Sequence, residues 1–153
     1  MQNGTSSADK AVLVSVSSSR ELPEIIDEHL DELAFLAETA GISANKRFIQ
    51  HLPHPDGRTF VGKGKLEEIK EWVSAQSIGN IIFDDDLTPS QLKNLEKEFN
   101  GKDKEDRIRI YDRSLLILDI FLMRAQTAQA RTQVELAMNQ YLLPRLTRMW
   151  THL

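Results

Sequence analysis

Between residues 11 and 111 a short β-branched or apolar run and a stretch with helical spacing follow one another in strict alternation. No other feature constrains the fold as much. Strands and helices that alternate along a chain cover each other best as a parallel sheet with helices on both faces. Val12, Val14 and Val16 mark a first strand over 11–17. Pro23 opens a helix that places Ile26, Leu30, Leu33 and Ala37 on one side and ends at Gly41. A second strand over 46–52 runs into Pro53, Pro55 and the Asp56-Gly57 pair, which force a loop.

Leu66, Ile69, Trp72 and Val73 then recur at helical spacing up to Gly79. Residues 81–83 form a compact apolar strand that opens onto Asp84, Asp85 and Asp86. Thr88-Pro89-Ser90-Gln91 is a capping box with proline where its missing N–H costs nothing, and Leu92, Leu95 and Phe99 carry the helix to Asn100-Gly101. A last short strand falls in 107–111 around Ile108 and Ile110. The expected fold is α/β: a small parallel four-stranded sheet flanked by helices. Residues 1–10, rich in Ser, Asn and Gly, read as a disordered leader, and 11–111 as the α/β domain. From Asp112 no Gly or Pro occurs before Pro144, which predicts one long helix that projects from so small a body.

Charge divides the chain at the same place. Residues 1–106 hold 12 Lys+Arg against 20 Asp+Glu, whereas 107–153 hold 7 Arg, no Lys and 3 acids. On an ideal helix Arg113, Arg124 and Arg131 lie within about 20° of one another, beside Ile117, Ile120, Met138 and Leu142, so charge interrupts an apolar stripe. Arg131 is also spaced to pair with Glu135. A guanidinium fork suits phosphate or carboxylate, so a polyanion and a solvated helix are both open readings. The stripe needs a covering helix from this chain, a second copy or a further segment; a dimer through 112–153 is one way to supply it. Residues 142–153 carry Leu142, Leu143, Leu146, Met149, Trp150 and Leu153, as expected of the front piece of a longer protein.

Several chemistries are excluded or weakly supported. The absence of Cys removes disulfides and thiolate chemistry and suits the cytoplasm. The most apolar run, 115–123, is short and contains Asp119, so no membrane span is predicted. Gly62-Lys63-Gly64-Lys65 at a helix start could hold a phosphate through backbone N–H groups and lysines, or could simply be a tight turn. Asp84 to Asp86 at a strand end could bind magnesium or cap the next helix. His29, His51, His54 and His152 are scattered, and the serines at 15, 17, 18 and 19 lack a nucleophile elbow. No catalytic residue and no protein-held metal is expected.

Taken together, Gly62-Lys63-Gly64-Lys65-Leu66-Glu67-Glu68-Ile69, Ile82-Phe83-Asp84-Asp85-Asp86-Leu87-Thr88-Pro89-Ser90-Gln91, Asp112-Arg113-Ser114, the run 116–121, Gln133-Val134-Glu135-Leu136-Ala137 and Tyr141-Leu142-Leu143-Pro144-Arg145-Leu146 resemble the amino-terminal region of the HflX family of ribosome-associated GTPases. The resemblance extends from about Leu22 to Leu153. It implies an α/β domain, then a helical hairpin whose first arm begins near Asp112, then a GTP-binding domain using GTP and magnesium. It also implies the large ribosomal subunit and its RNA as partners, met through Arg113, Arg124, Arg131, Arg145 and Arg148, and a cytoplasmic location with ribosomal or peripheral membrane association. No Gly-x-x-x-x-Gly-Lys-[Ser/Thr] motif occurs in these residues. A competing reading keeps the α/β body as a nucleotide-binding or hydrolytic domain in its own right, using residues 62–65.

Overall fold

The structure, a computed structural model, describes the backbone of residues 7–101 and 107–150 and the side chains of 8–101 and 107–141. Strands β1 (Lys10–Ser17), β2 (Ser43–His51), β3 (Asn80–Phe83) and β4 (Arg109–Asp112) form one sheet in the order β2-β1-β3-β4. Every pair is parallel: Val14 lies beside Phe48 and Phe83, and Phe83 beside Asp112. The α/β expectation therefore holds.

Helices α1 (Pro23–Thr39), α2 (Lys63–Ala75), α3 (Pro89–Asn100) and α4 (Arg113–Arg124) make the connections and cover the faces. Side chains alternate along each strand, so two cores form. Val12, Val14, Ile81 and Phe83 face α2 and α3, with Leu66, Ile69, Val73, Leu95 and Phe99 against them. Ala11, Leu13, Ile82 and Tyr111 face α1 and α4, where Leu30, Leu33, Leu116 and Ile120 meet them. The walk from β1 to β2 uses one face and the walks from β2 to β3 and on to β4 use the other. Chain direction reverses beside β1, and there the strands' carboxyl ends diverge into loops on opposite faces.

Local chemistry fixes the element ends. Thr88 Oγ1 accepts from the Gln91 N–H at 3.0 Å and Gln91 Oε1 accepts from the Thr88 N–H at 2.9 Å, the expected reciprocal cap. Asn100 at the end of α3 accepts from the Ile108 N–H at 2.6 Å and donates to its carbonyl at 3.0 Å. Asn80 donates to the Ala8 and Lys10 carbonyls, so the ordered body starts before the expected leader ends at residue 10. Gly41, at φ 80°, turns the chain out of α1, a conformation that suits glycine.

One expectation needs correction. The helix from Asp112 is not continuous: α4 stops at Arg124, Ala125 takes extended backbone angles, and α5 (Ala128–Trp150) starts afresh with Thr127 Oγ1 accepting from the Ala130 N–H at 2.9 Å. A threonine N-cap does what neither Gly nor Pro was present to do. α5 then folds back, so that Tyr141 reaches Asp112 at the start of α4, and it also lies against α3. The pair α4–α5 is itself a hairpin, and α5 runs through Pro144.

Candidate functional site

Among the described residues, two clefts open at the carboxyl edge of the sheet. The first, about 490 Å³, is lined by His29, Glu32, Asp84, Asp85, Asp86, Arg113 and Ser114. Asp84 follows β3 and its side chain is nearly buried at 8% exposure. The Arg113 guanidinium, in the first turn of α4, grips it through Nε at 3.1 Å and Nη2 at 2.5 Å, and also reaches Glu32 of α1 and the His29 carbonyl. Burial pushes the Asp84 carboxyl above its ordinary range, held back by the Arg113 hydrogen bonds. Burial also works against the charge on Arg113, but Asp84 and Glu32 outweigh it and raise that group.

The three adjacent acids thus part company. Asp84 binds Arg113, Asp85 accepts from the Asp86 N–H at 2.8 Å, and Asp86 accepts from the Ser114 hydroxyl at 2.7 Å. Among the described residues no group of His, Asp and Glu is arranged to hold a metal ion.

Next to Arg113 in the chain lies a residue whose structural role its motif, Asp112-Arg113-Ser114, did not reveal. Asp112 is 4% exposed and accepts from the Leu115 N–H of α4, the Leu87 N–H of the β3–α3 loop and the Tyr141 hydroxyl at 2.5 Å. One carboxylate joins a strand, two helices and a loop. Its place in that motif at a helix start was legible, but its partners were not, because Leu87 and Tyr141 are 25 and 29 residues away.

The second cleft, about 470 Å³, lies between the loop after β1 and the end of β2 and is lined by Ser18, Ser19, Arg20, His51, Leu52 and Pro53. Its His51 Nδ1 is 3.4 Å from the buried Ser17 hydroxyl.

The glycine-lysine segment sits at the start of α2. Gly62 has φ −71°, so the turn does not need glycine's freedom there. Its N–H donates to Gln50 Oε1 at 2.8 Å, and a Cβ on it would come within 3.2 Å of Gln50 Nε2. Close approach accounts for this glycine. Lys65 pairs with Glu68 at 3.2 Å, while Gly64 and Lys63 face solvent. The asparagine and glutamine around the preceding loop fix it to α3: Gln91 donates to the Asp56 carbonyl and Asn94 to the Arg58 carbonyl.

The arginines separate as well. Arg113 is committed to Asp84 and Glu32. The break at residue 125 takes Arg131 off the helix that carries Arg113 and Arg124, so the three share no face. Arg124 and Arg131 are exposed on either side of the α4–α5 turn, and no ion pair joins Arg131 to Glu135. The side chains of Arg145, Arg148 and His152 lie outside the described residues.

With this arrangement in view, comparison with known proteins is decisive. The family model described as "GTP-binding GTPase N-terminal" matches residues 27–122, and the one described as "GTP-binding GTPase Middle Region" matches 124–153. The chain belongs to the HflX family of GTPases. It is 48% identical over its full length to the GTPase HflX of Flavobacterium psychrophilum, covering 35% of that protein, and 38% identical over 95% of its length to the GTPase HflX of Escherichia coli, covering 32%. The chain thus spans about a third of these curated relatives. The crystal structure of SsGBP with GDP matches at TM-score 0.70 and 26% identity, over 91% of this chain and 37% of that one. A GTP-binding protein from Sulfolobus solfataricus in complex with GDP shares the fold at TM-score 0.64 over 91% of this chain and 39% of that one, at 24% identity. The boundary between the two family models, at residues 122–124, coincides with the end of α4.

Proposed function

We propose that this region serves an HflX-like GTPase as its ribosome-binding and regulatory part, meeting the RNA of the large subunit through arginine contacts and positioning a helical hairpin beside the GTP-binding domain that its relatives' names imply. GTP and magnesium would be held by that domain, whose P-loop motif is not among these residues. The reading includes ribosome splitting and recycling driven by GTP in the whole protein, in the cytoplasm or on the ribosome. Among the described residues no helix is long and apolar enough to cross a membrane.

The observation that carries the proposal is the pair of exposed arginines that flank the α4–α5 turn. Arg124 and Arg131 have no ion-pair partner among the described residues, on a chain whose body is acidic. Evenly distributed charge would repel RNA; cations collected at a protruding turn present a phosphate-seeking tip. Arg145 and Arg148 continue the set along α5, while Arg113 supports it structurally through Asp84.

Co-sedimentation with purified large subunits tests this directly. Affinity should fall about tenfold or more between 50 and 200 mM salt, as counterion release requires. A protein with Arg124 and Arg131 changed to Ala should bind at least about tenfold more weakly with a shallower salt slope. Equal binding and slope for the two proteins would refute the assignment.

A further inference from the structure

The cleft between β1 and β2 differs from its acidic neighbour in having donors and no committed acid. It opens at the carboxyl edge of the sheet, where the loops that follow β1 and β2 meet. Arg20, on the loop after β1, is exposed and makes no ion pair among the described residues. The main-chain N–H groups of Ser19 and Arg20 donate to no described protein group, whereas the next one, on Glu21, is tied to the Ser18 carbonyl at 3.2 Å. Two successive amides without a described protein partner thus lie next to a guanidinium, and both kinds of donor suit an anion. Across the cleft, Ser17 occupies Nδ1 of His51, so Nε2 is the nitrogen left to face solvent. The nearest acids do not fill the cleft: Glu21 lies 4.0 Å from His29, and Glu24 belongs to the first exposed turn of α1.

We propose that the cleft between β1 and β2 binds a phosphoryl group, held by the Arg20 guanidinium, the free amides of residues 19 and 20 and Nε2 of His51. This site is separate from the arginines at the hairpin turn and does not depend on ribosome binding. Its phosphoryl group belongs either to a small phosphomonoester or to a nucleic-acid backbone diester. The hydroxyls of Ser18 and Ser19 supply further donors suited to both.

Titrating inorganic phosphate into isotope-labelled protein, at constant pH and ionic strength, reads the site through the His51 ring protons and the amides of residues 19 and 20. These signals should shift together and saturate with a Kd of about 1–10 mM, the range for one charged fork with a few hydrogen bonds. Arg20→Ala should weaken binding about tenfold while the signals of the core stay in place. His51→Gln, which keeps a side-chain N–H, should bind more tightly than His51→Ala. Competition then identifies the source: displacement by a nucleoside 5′-monophosphate but not by a dinucleotide diester marks a monoester ligand, and the converse marks a backbone. Either result upholds the site. Shifts that do not saturate, or that are the same in Arg20→Ala, would overturn it, whatever the hairpin arginines do on the ribosome.

Discussion

The α/β body and the α4–α5 hairpin are joined by a continuous chain but held by different physics. Each of α1 to α4 buries at least two side chains against the sheet or beside it. Among its described residues α5 buries none below the level of partial exposure, and Leu136 is half exposed. Its clearest attachment is a hydroxyl on a carboxylate. The body is an apolar interior with polar ends; the described part of the second arm, 128–141, is a partly exposed surface tied by the Tyr141 hydroxyl to Asp112. An element whose described side chains stay partly exposed can open at a lower free energy than the core it rests on.

Three measurements would break or sharpen that contrast. The largest effect should come from Leu33→Ala, which empties a fully buried site between α1 and the sheet and should cost about 3 kcal/mol in denaturant unfolding. A loss of less than about 1 kcal/mol would show the core yielding to fill the space. Next, Asp112→Ala removes an N-cap and the acceptor for a loop amide and a tyrosine together, and should cost about 2 kcal/mol. Tyr141→Phe removes only the tie to Asp112. Hydrogen exchange should then quicken along α5 while the sheet keeps its protection; equal loss in both would mean the hairpin and body unfold as one.

The smallest effect is set by protons. Glu98 sits below its ordinary range because Arg58 and Lys70 donate to it, and Asp56 sits lower because the Thr59 and Arg58 amides do. Their folded forms bind protons less readily than the unfolded chain. The stability they add is therefore present above the ordinary carboxylate range and disappears as pH falls through their lowered values. Asp84 has the opposite sign: raised by burial, it favours folding more as pH falls from its raised value through the ordinary one. On acidification Asp84 takes up its proton before Asp56 and Glu98 do, so the Asp84–Arg113 contact should lose its ionic character first and the 56–61 loop, followed by its amide exchange, should loosen only at lower pH. Simultaneous loss would contradict these assignments.

These particulars also show where the amino-acid order is informative. Val12, Val14 and Val16, the Thr88–Gln91 box and the apolar spacing of α1 state local rules, and local rules were enough to place four strands and their helices. The break at residue 125 was hidden because Thr127 acts through a single hydroxyl, a weaker mark than Gly or Pro. Arginine alignment failed with it, since an angle computed on one helix has no meaning across two. Asp112, the pairing of Asp84 with Arg113 and the cleft beside Arg20 depend on residues brought together by the sheet, and no periodicity encodes them. Gly62 was legible as a turn residue, but its reason is the nearness of Gln50.

The Asn100 side chain bonds both the amide and the carbonyl of Ile108, acting as a backbone partner would. The two ends of the α3–β4 connection are thereby stapled to each other independently of the residues between them. Lengthening that connection adds only the slowly growing entropy of a closed loop. The staple makes it a natural port at which a fluorophore tag or a short epitope can be grafted while the sheet stays in register.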